Sequence, residues 1–185
     1  MTTSDELRLI ALTEFANAGY AGTSLQRIAD LAGVSKSAVL YHYASKEALL
    51  EAAIGPALER MSAILGSFTA EPITASSRQD FIERFVDLLL ENRLELHMFI
   101  NQARSLEDVP VIGRANLLVA DLAQFFSTSI ASAEDRMRFG IALGGSAYLL
   151  ATMESLPLEQ VPFGELRSGL ISIMGELLAP VRLEP

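Results

Sequence analysis

Apolar residues recur along this chain at intervals of three and four almost from end to end. No stretch shows the clear period of two that a half-buried strand requires, so the pattern predicts an all-α protein. Leu7, Ile10, Ala11, Phe15 and Ala18 share one face of a predicted helix over Ser4–Gly19, which Gly19 ends. Leu25, Ile28, Ala29 and Ala32 give the apolar face of a second, Ser24–Ala32. Thr23 stands at its N-cap, Gln26 three residues on completes a capping box, and Gly33 follows as the stop. Ser35 caps a short helix from Lys36 to about Tyr43, and Ser45 caps a long one, Lys46–Phe68. Gly55-Pro56 interrupts that long pattern, and a proline inside a helix removes a hydrogen bond, so a kink is expected near Gly55. It reads as a tolerated bend or, functionally, as a hinge between head and body.

Beyond a linker at Thr69–Ser77, Ser77 and Asp80 cap a helix running to about Arg93, with Phe81, Phe85, Leu88 and Leu89 on its buried face. Leu94–Leu106 and Val111–Ile130 read as further helices, separated by the break Glu107-Asp108-Val109-Pro110. Helix Glu134–Glu154 carries a strip of small residues, Gly140, Gly144, Ala147 and Ala151. Two glycines inside a helix cost ~1 kcal/mol each relative to alanine, so close packing is expected to compensate. The last helix, Phe163–Ala179, repeats the spacing with Leu166, Leu170, Ile173 and Leu177. The two seams suit either a dimeric four-helix bundle or packing within one subunit.

Composition sharpens this picture. Half of the residues are apolar, more than one small fold needs to bury, so an oligomer interface or an apolar cavity is expected. There is no cysteine, which excludes disulfides and thiolate metal sites. The longest uncharged apolar run, Phe139–Met153, is shorter than the ~18 residues of a membrane span. The first residues lack the form of a signal peptide, so a soluble, cytoplasmic protein is expected. Net charge is −9, which argues against tight sequence-independent binding to nucleic acid. The excess is uneven: the first fifty residues hold four basic and five acidic side chains, and Gly22–Lys46 holds three basic and one acidic.

A helix, a glycine turn and a second helix make either a helix-turn-helix or an ordinary helical hairpin. The outward face of the second helix favours the former. It offers Lys36, Ser37, Ala38, Tyr41 and His42, with Lys46 just beyond, and these are the only two lysines in the chain. Small polar residues for base edges, flanked by hydroxyls and cations for phosphates, are what a major-groove helix presents.

The segment GVSKSAVLYHYASKEALL, Gly33–Leu50, resembles the signature of the TetR (tetracycline repressor) family, whose pattern is close to GVSKGTLYYHFPSKEALL. Phe15, Gly19, Tyr20, Thr23, Ile28, Ala29 and Ala32 also match, so the resemblance covers about the first 50 residues. Ser37 and Ala38 stand where the family often has Gly and Thr, Leu40 where it often has Tyr, and Ala44 where it often has Pro. The resemblance implies a three-helix DNA-binding head over residues 1–48 and a helical-bundle body for ligand binding and dimerisation over 49–185, about nine helices in all. Family members dimerise through their last two long helices, which assigns the seam from Gly140 to Leu177 to that interface. The implied partner is a double-stranded, roughly palindromic DNA operator. Thr23, Lys36, Tyr41, His42 and Lys46 are expected at its backbone and Ser37 and Ala38 at base edges, with Gln26 also among the DNA-binding residues. The implied action is that of a repressor answering to a ligand.

In the family a body pocket takes an effector that changes the spacing of the heads. Here the candidates are Met61, Leu65, Phe68, Phe85, Met98, Phe99, Leu118 and Phe125, each equally good as a core residue. Asn101, Gln102 and Arg104 are the polar groups to watch, because burying them needs partners. The expected effector is small and mainly apolar. No catalytic constellation, phosphate loop or metal-ligand spacing is present, so no enzyme activity, metal or cofactor is expected. The rival reading is an all-α dimer that binds apolar ligands and no longer reads DNA.

Overall fold

In the computed structural model every element among the described residues (3–70, 74–106, 108–130, 132–153, 156, 158 and 160–181) is helical, as the periodicity demands. Residues 71–73 of the predicted linker, Glu107, Glu154 and the side chain of Arg104 lie outside what the structure describes. In chain order the helices are α1 (Thr3–Ala18), α2 (Leu25–Ala32), α3 (Lys36–His42), α4 (Lys46–Thr69), α5 (Ala75–Glu91), α6 (Arg93–Gln102), α7 (Pro110–Ser129), α8 (Ala133–Gly140), α9 (Ser146–Ala151) and α10 (Phe163–Leu178). A 3₁₀ turn, Ala103–Leu106, follows α6, and a π-helical turn, Ile141–Gly145, joins α8 to α9.

By packing, the chain divides into two units. The first joins the segment ending at Leu58 to Leu94–Ala115. Its core sets Leu7, Ala11, Phe15, Ile28, Ala29, Val39 and Leu50 against Met98, Leu106, Val111 and Ile112. α1 packs on α2 and α2 on α3. On α1 the buried face includes Leu12 and Ala16, whereas Ala18 is exposed. The caps explain where the helices begin. Ser24, in extended backbone, accepts the Arg27 N–H through Oγ at 3.1 Å; Ser35 and Ser45 do the same for Ala38 and Ala48. The expected Thr23–Gln26 box does not form; a single cap one residue on, at Ser24, replaces it. Thr23 is only 2 % exposed and its hydroxyl donates back to the carbonyl of Gly19 at 2.9 Å, leaving the cap to Ser24. Gln26 instead donates to Asp30, one turn on. Gly33 closes α2 with φ +66, a left-handed conformation cheap only for glycine, and Val34 N–H reaches the Ala29 carbonyl at 3.0 Å.

The second unit holds Glu59–Arg93 and the chain from Asn116 onward. α10 packs along α5, α8 and the π turn, and α5 also meets α9. α5 starts earlier than expected because Thr74 and Ser77 form a reciprocal box, Thr74 Oγ1 accepting from Ser77 N–H and Ser77 Oγ from Thr74 N–H. The box expected of Ser77 and Asp80 is pre-empted by this pair one turn upstream. Arg167 grips Asp87 with two hydrogen bonds, the second at 2.8 Å, and holds its carboxyl below the usual carboxylate range. That contribution is fully present above the ordinary carboxylate range and fades as the pH falls through the lowered value. Aromatic rings run through the interior: Phe68 stacks on Phe81 at 4.3 Å and Phe81 on Phe85 at 5.7 Å, and Phe126 meets Phe139 at a tilt, 3.9 Å between centroids.

One continuous α-helix over Glu134–Glu154 does not form. The π turn takes up an extra residue among Gly140, Gly144 and Gly145, where helix propensity is weakest. The small-residue strip therefore leaves a single face: Gly140 and Gly144 are exposed, Ala147 is half-buried and Ala151 is buried. On α10, Leu166 and Leu170 turn into their own subunit, Leu177 is half-buried and Ile173 is exposed.

Candidate nucleic-acid interface

The helix-turn-helix is assembled by three short-range devices. Gly33 sets the corner, Ser35 caps α3, and Val39, wholly buried, anchors α3 against Ile28 and Ala29. With Val39 inward, the opposite face of α3 looks outward. Lys36, Ser37, Leu40, Tyr41 and His42 are exposed and Ala38 is half-buried. Tyr41 is 87 % exposed and the His42 ring stands edge-on to it at 5.4 Å. A large aromatic held in water carries no packing benefit to its own chain, so its place suits contact with another molecule. At the C-terminal end of α3 the Tyr43 hydroxyl meets the side chain of Ser4 at 2.6 Å and its carbonyl at 3.1 Å, fixing α3 to the start of α1.

The expected DNA-facing residues fall into two groups. Gln26, Lys36, Ser37, Tyr41 and His42 lie on the surface of the pair, with Ala38 partly covered. Thr23 and Lys46 have internal tasks. The Lys46 ammonium donates to the carbonyls of Tyr20 at 2.9 Å and Thr23 at 3.0 Å, and sits 4.1 Å over the Tyr20 ring. That ammonium ties the start of α4 to the turn between α1 and α2. Beside it, burial first and then the Glu47 carboxylate push the Tyr20 phenol up to about 12. Arg27, not among the expected contacts, is more accessible than Lys46: its guanidinium pairs with Glu14 at 3.2 Å while more than half of the side chain stays in water. Its signal in the sequence was its place in Gly22–Lys46, where it is the third cation.

The expected effector residues divide between the two units. Met98 is buried in the first unit's core and Phe99 packs against it. Gln102 bonds to the backbone of α1 and the following turn, and exposed Asn101 bonds to His97. Met61, Leu65, Phe68, Phe85, Leu118 and Phe125 belong to the second unit, where Phe68 and Phe85 are buried in the aromatic run. Among the described residues, no group of three or more His, Cys, Asp or Glu could hold a metal ion, and no helix is long and apolar enough to cross a membrane.

Residues 10–53 match the family model described as bacterial regulatory proteins, tetR family. The chain is 35 % identical over 114 residues to the HTH-type transcriptional regulator RutR of Escherichia coli K12, a match covering 60 % of this chain and 49 % of that protein. It thus spans about half the length of the curated relatives it matches. Solved structures share the fold. The ketosteroid transcriptional regulator KstR2 of Mycobacterium tuberculosis superposes with a TM-score of 0.71 at 15 % identity, covering 98 % of this chain and 95 % of that one. A TetR-family member from Streptomyces coelicolor A3 gives 0.72 at 21 %, covering 98 % and 94 %.

Proposed function

We propose that the chain is a member of the tetR family of bacterial regulatory proteins, whose model its helix-turn-helix matches, and that it is a cytoplasmic transcriptional regulator that reads a palindromic DNA operator as a homodimer. The observation that carries this reading is the outward face of α3: one cation, two hydroxyls and an imidazole around a buried valine anchor. Two such helices, one per protomer, would enter successive major grooves. Ser37 and Ala38 would meet base edges, and Lys36, Tyr41, His42 and Arg27 the phosphates. The action is repression, relieved when a small, mainly apolar effector favours a head spacing that no longer fits the operator.

Fluorescence anisotropy tests it, with a duplex selected from random sequence, a scrambled control and a series of salt concentrations. The selected duplex should bind saturably and in preference. With Lys36 and Arg27 as the exposed cations of each head, a dimer neutralises about four phosphates, giving a salt slope of about −4. Lys36→Ala should weaken all duplexes about tenfold and flatten that slope by about 2, one for each head. An unaltered slope would remove Lys36 from the phosphate contacts.

The dimer reading rests on an apolar surface of the second unit: Met137, Ile141 and Tyr148 along the α8–π–α9 rod, with Ile173 on α10, are all more than half exposed. Gly144 lies among them, and a Cβ added there would meet nothing within 4 Å in its own chain. Gly144→Leu is therefore expected to fold normally yet shift sedimentation equilibrium from dimer to monomer. A folded variant that stays dimeric would move the interface elsewhere.

A further inference from the structure

We propose that Gln102 is a positioning residue for DNA reading: its amide, carried by the last turn of α6, fixes where the helix-turn-helix sits. The proposal rests on the reading of α3 as the DNA-reading helix. Gln102 follows the apolar run Met98–Ile100 and carries a group that both donates and accepts. Its Nε2 donates to the Phe15 carbonyl at 2.7 Å, and its Oε1 accepts the Tyr20 N–H at 2.8 Å. Only one orientation of the amide satisfies both, since the flipped one would set oxygen against oxygen and N–H against N–H. The two partners bracket the end of α1, where carbonyls lose their helical donors and the chain turns through Gly19 at φ +80. One side chain therefore closes the end of α1 and pins Tyr20, the second residue beyond it.

That residue begins the turn that sets α2. Thr23 N–H reaches the Tyr20 carbonyl at 3.2 Å, Lys46 clasps the carbonyls of both, and Ser24, the next residue, caps α2. α2 then holds α3 through the Gly33 corner and the contact of Val39 with Ile28 and Ala29. A displacement of the end of α6 would pass to the Tyr20–Thr23 turn through the amide and from there to the outward face of α3. Gln102 need not touch DNA to govern its recognition. An apolar side chain of similar length would keep the packing and lose both bonds, leaving a buried N–H and a carbonyl without a partner.

Gln102→Leu, in the full-length chain, tests this, with Gln102→Glu as the second variant should the leucine chain fail to fold. The glutamate keeps the acceptor for Tyr20 but turns a second oxygen toward the Phe15 carbonyl. The readouts are helical circular dichroism, amide exchange at Tyr20 and along α3, and the affinity ratio between the selected and scrambled duplexes. The expected result is native helicity, exchange at Tyr20 and α3 at least tenfold faster, and a ratio reduced about tenfold with scrambled-duplex affinity little changed. A residue that only stabilises the fold would lower both affinities together and leave the ratio intact. An unchanged ratio in a folded variant, or unchanged exchange in α3, would overturn the proposal. A wild-type chain without preference between duplexes would overturn the DNA-reading premise, and is recognised by failing before any substitution is made.

Discussion

Phe81→Ala is expected to lower the unfolding free energy by about 3–5 kcal/mol, the usual cost of emptying a ring-sized site in a core. Phe81 is 2 % exposed and lies between two rings, stacked on Phe68 at 4.3 Å with an interplanar angle of 25° and on Phe85 at 5.7 Å with 24°. Its neighbours are carried by α4 and by α5 itself, one turn along. Phe68 and Phe85 cannot both move in to close the gap without leaving their own contacts, so most of the cavity term should persist. Urea denaturation would read the change as a lower midpoint at constant slope, and thermal melting as a fall of about 10 °C or more. A loss below about 1 kcal/mol would mean that this interior refills readily, and that the ring is replaceable packing.

Arg78→Met is the second large effect. The Arg78 guanidinium donates through Nη1 to the carbonyls of Leu178 at 2.6 Å and Ala179 at 3.2 Å, and through Nη2 to that of Val181 at 2.9 Å. Leu178 ends α10, and Ala179 and Val181 lie just beyond it, where hydrogen bonds run out and the helix dipole is negative. A cation from the first turns of α5, a hundred residues earlier, thus caps the last helix. Charge-assisted bonds of this kind contribute about 1.5–3 kcal/mol each before losses. The carbonyls partly regain water in the variant, and among the described residues the buried Nε of Arg78 finds no acceptor, which offsets part of the gain. We expect a net loss of about 2–3 kcal/mol and faster amide exchange confined first to the end of α10. A melting temperature within a degree of wild type would show that solvent caps α10 equally well.

The head was legible in the sequence because its instructions are local. Gly33 and Ser35 act within a turn of their own position and Val39 on the helix just before its own, and the structure places all three as their chemistry directs. Neighbouring hydroxyls are different: Thr23 and Ser24 both qualify as a cap, and only the carbonyls of Glu14 and Gly19, brought close by folding, decide that Thr23 turns inward. Lys46 shows the same limit. As one of two lysines beside a reading helix it looked like a phosphate ligand, yet two carbonyls and the Tyr20 ring hold its charge. In the body, helix existence was legible from the apolar period but facing was not. One extra residue in the turn Ile141–Gly145 rotates everything that follows, and Leu166 and Leu170 could have served either an outer or an inner seam. Polar outliers proved more telling than apolar stripes: Gln102 stood out in its segment, and its partners are backbone groups 82 and 87 residues away.

The return of Leu94–Ala115 to the N-terminal helices sets an order of events at the ribosome. Core positions beside Phe15 and Ile28 are filled by Met98, Leu106, Val111 and Ile112, which are synthesised long after α3. At roughly 5–20 residues per second, the nascent head waits several seconds with an apolar face uncovered. During that interval it is a substrate for chaperones and proteases. Completion of the first unit is thereby delayed until Ile112 has been made, so truncated products of translation interrupted before it would carry the N-terminal helices with an open core.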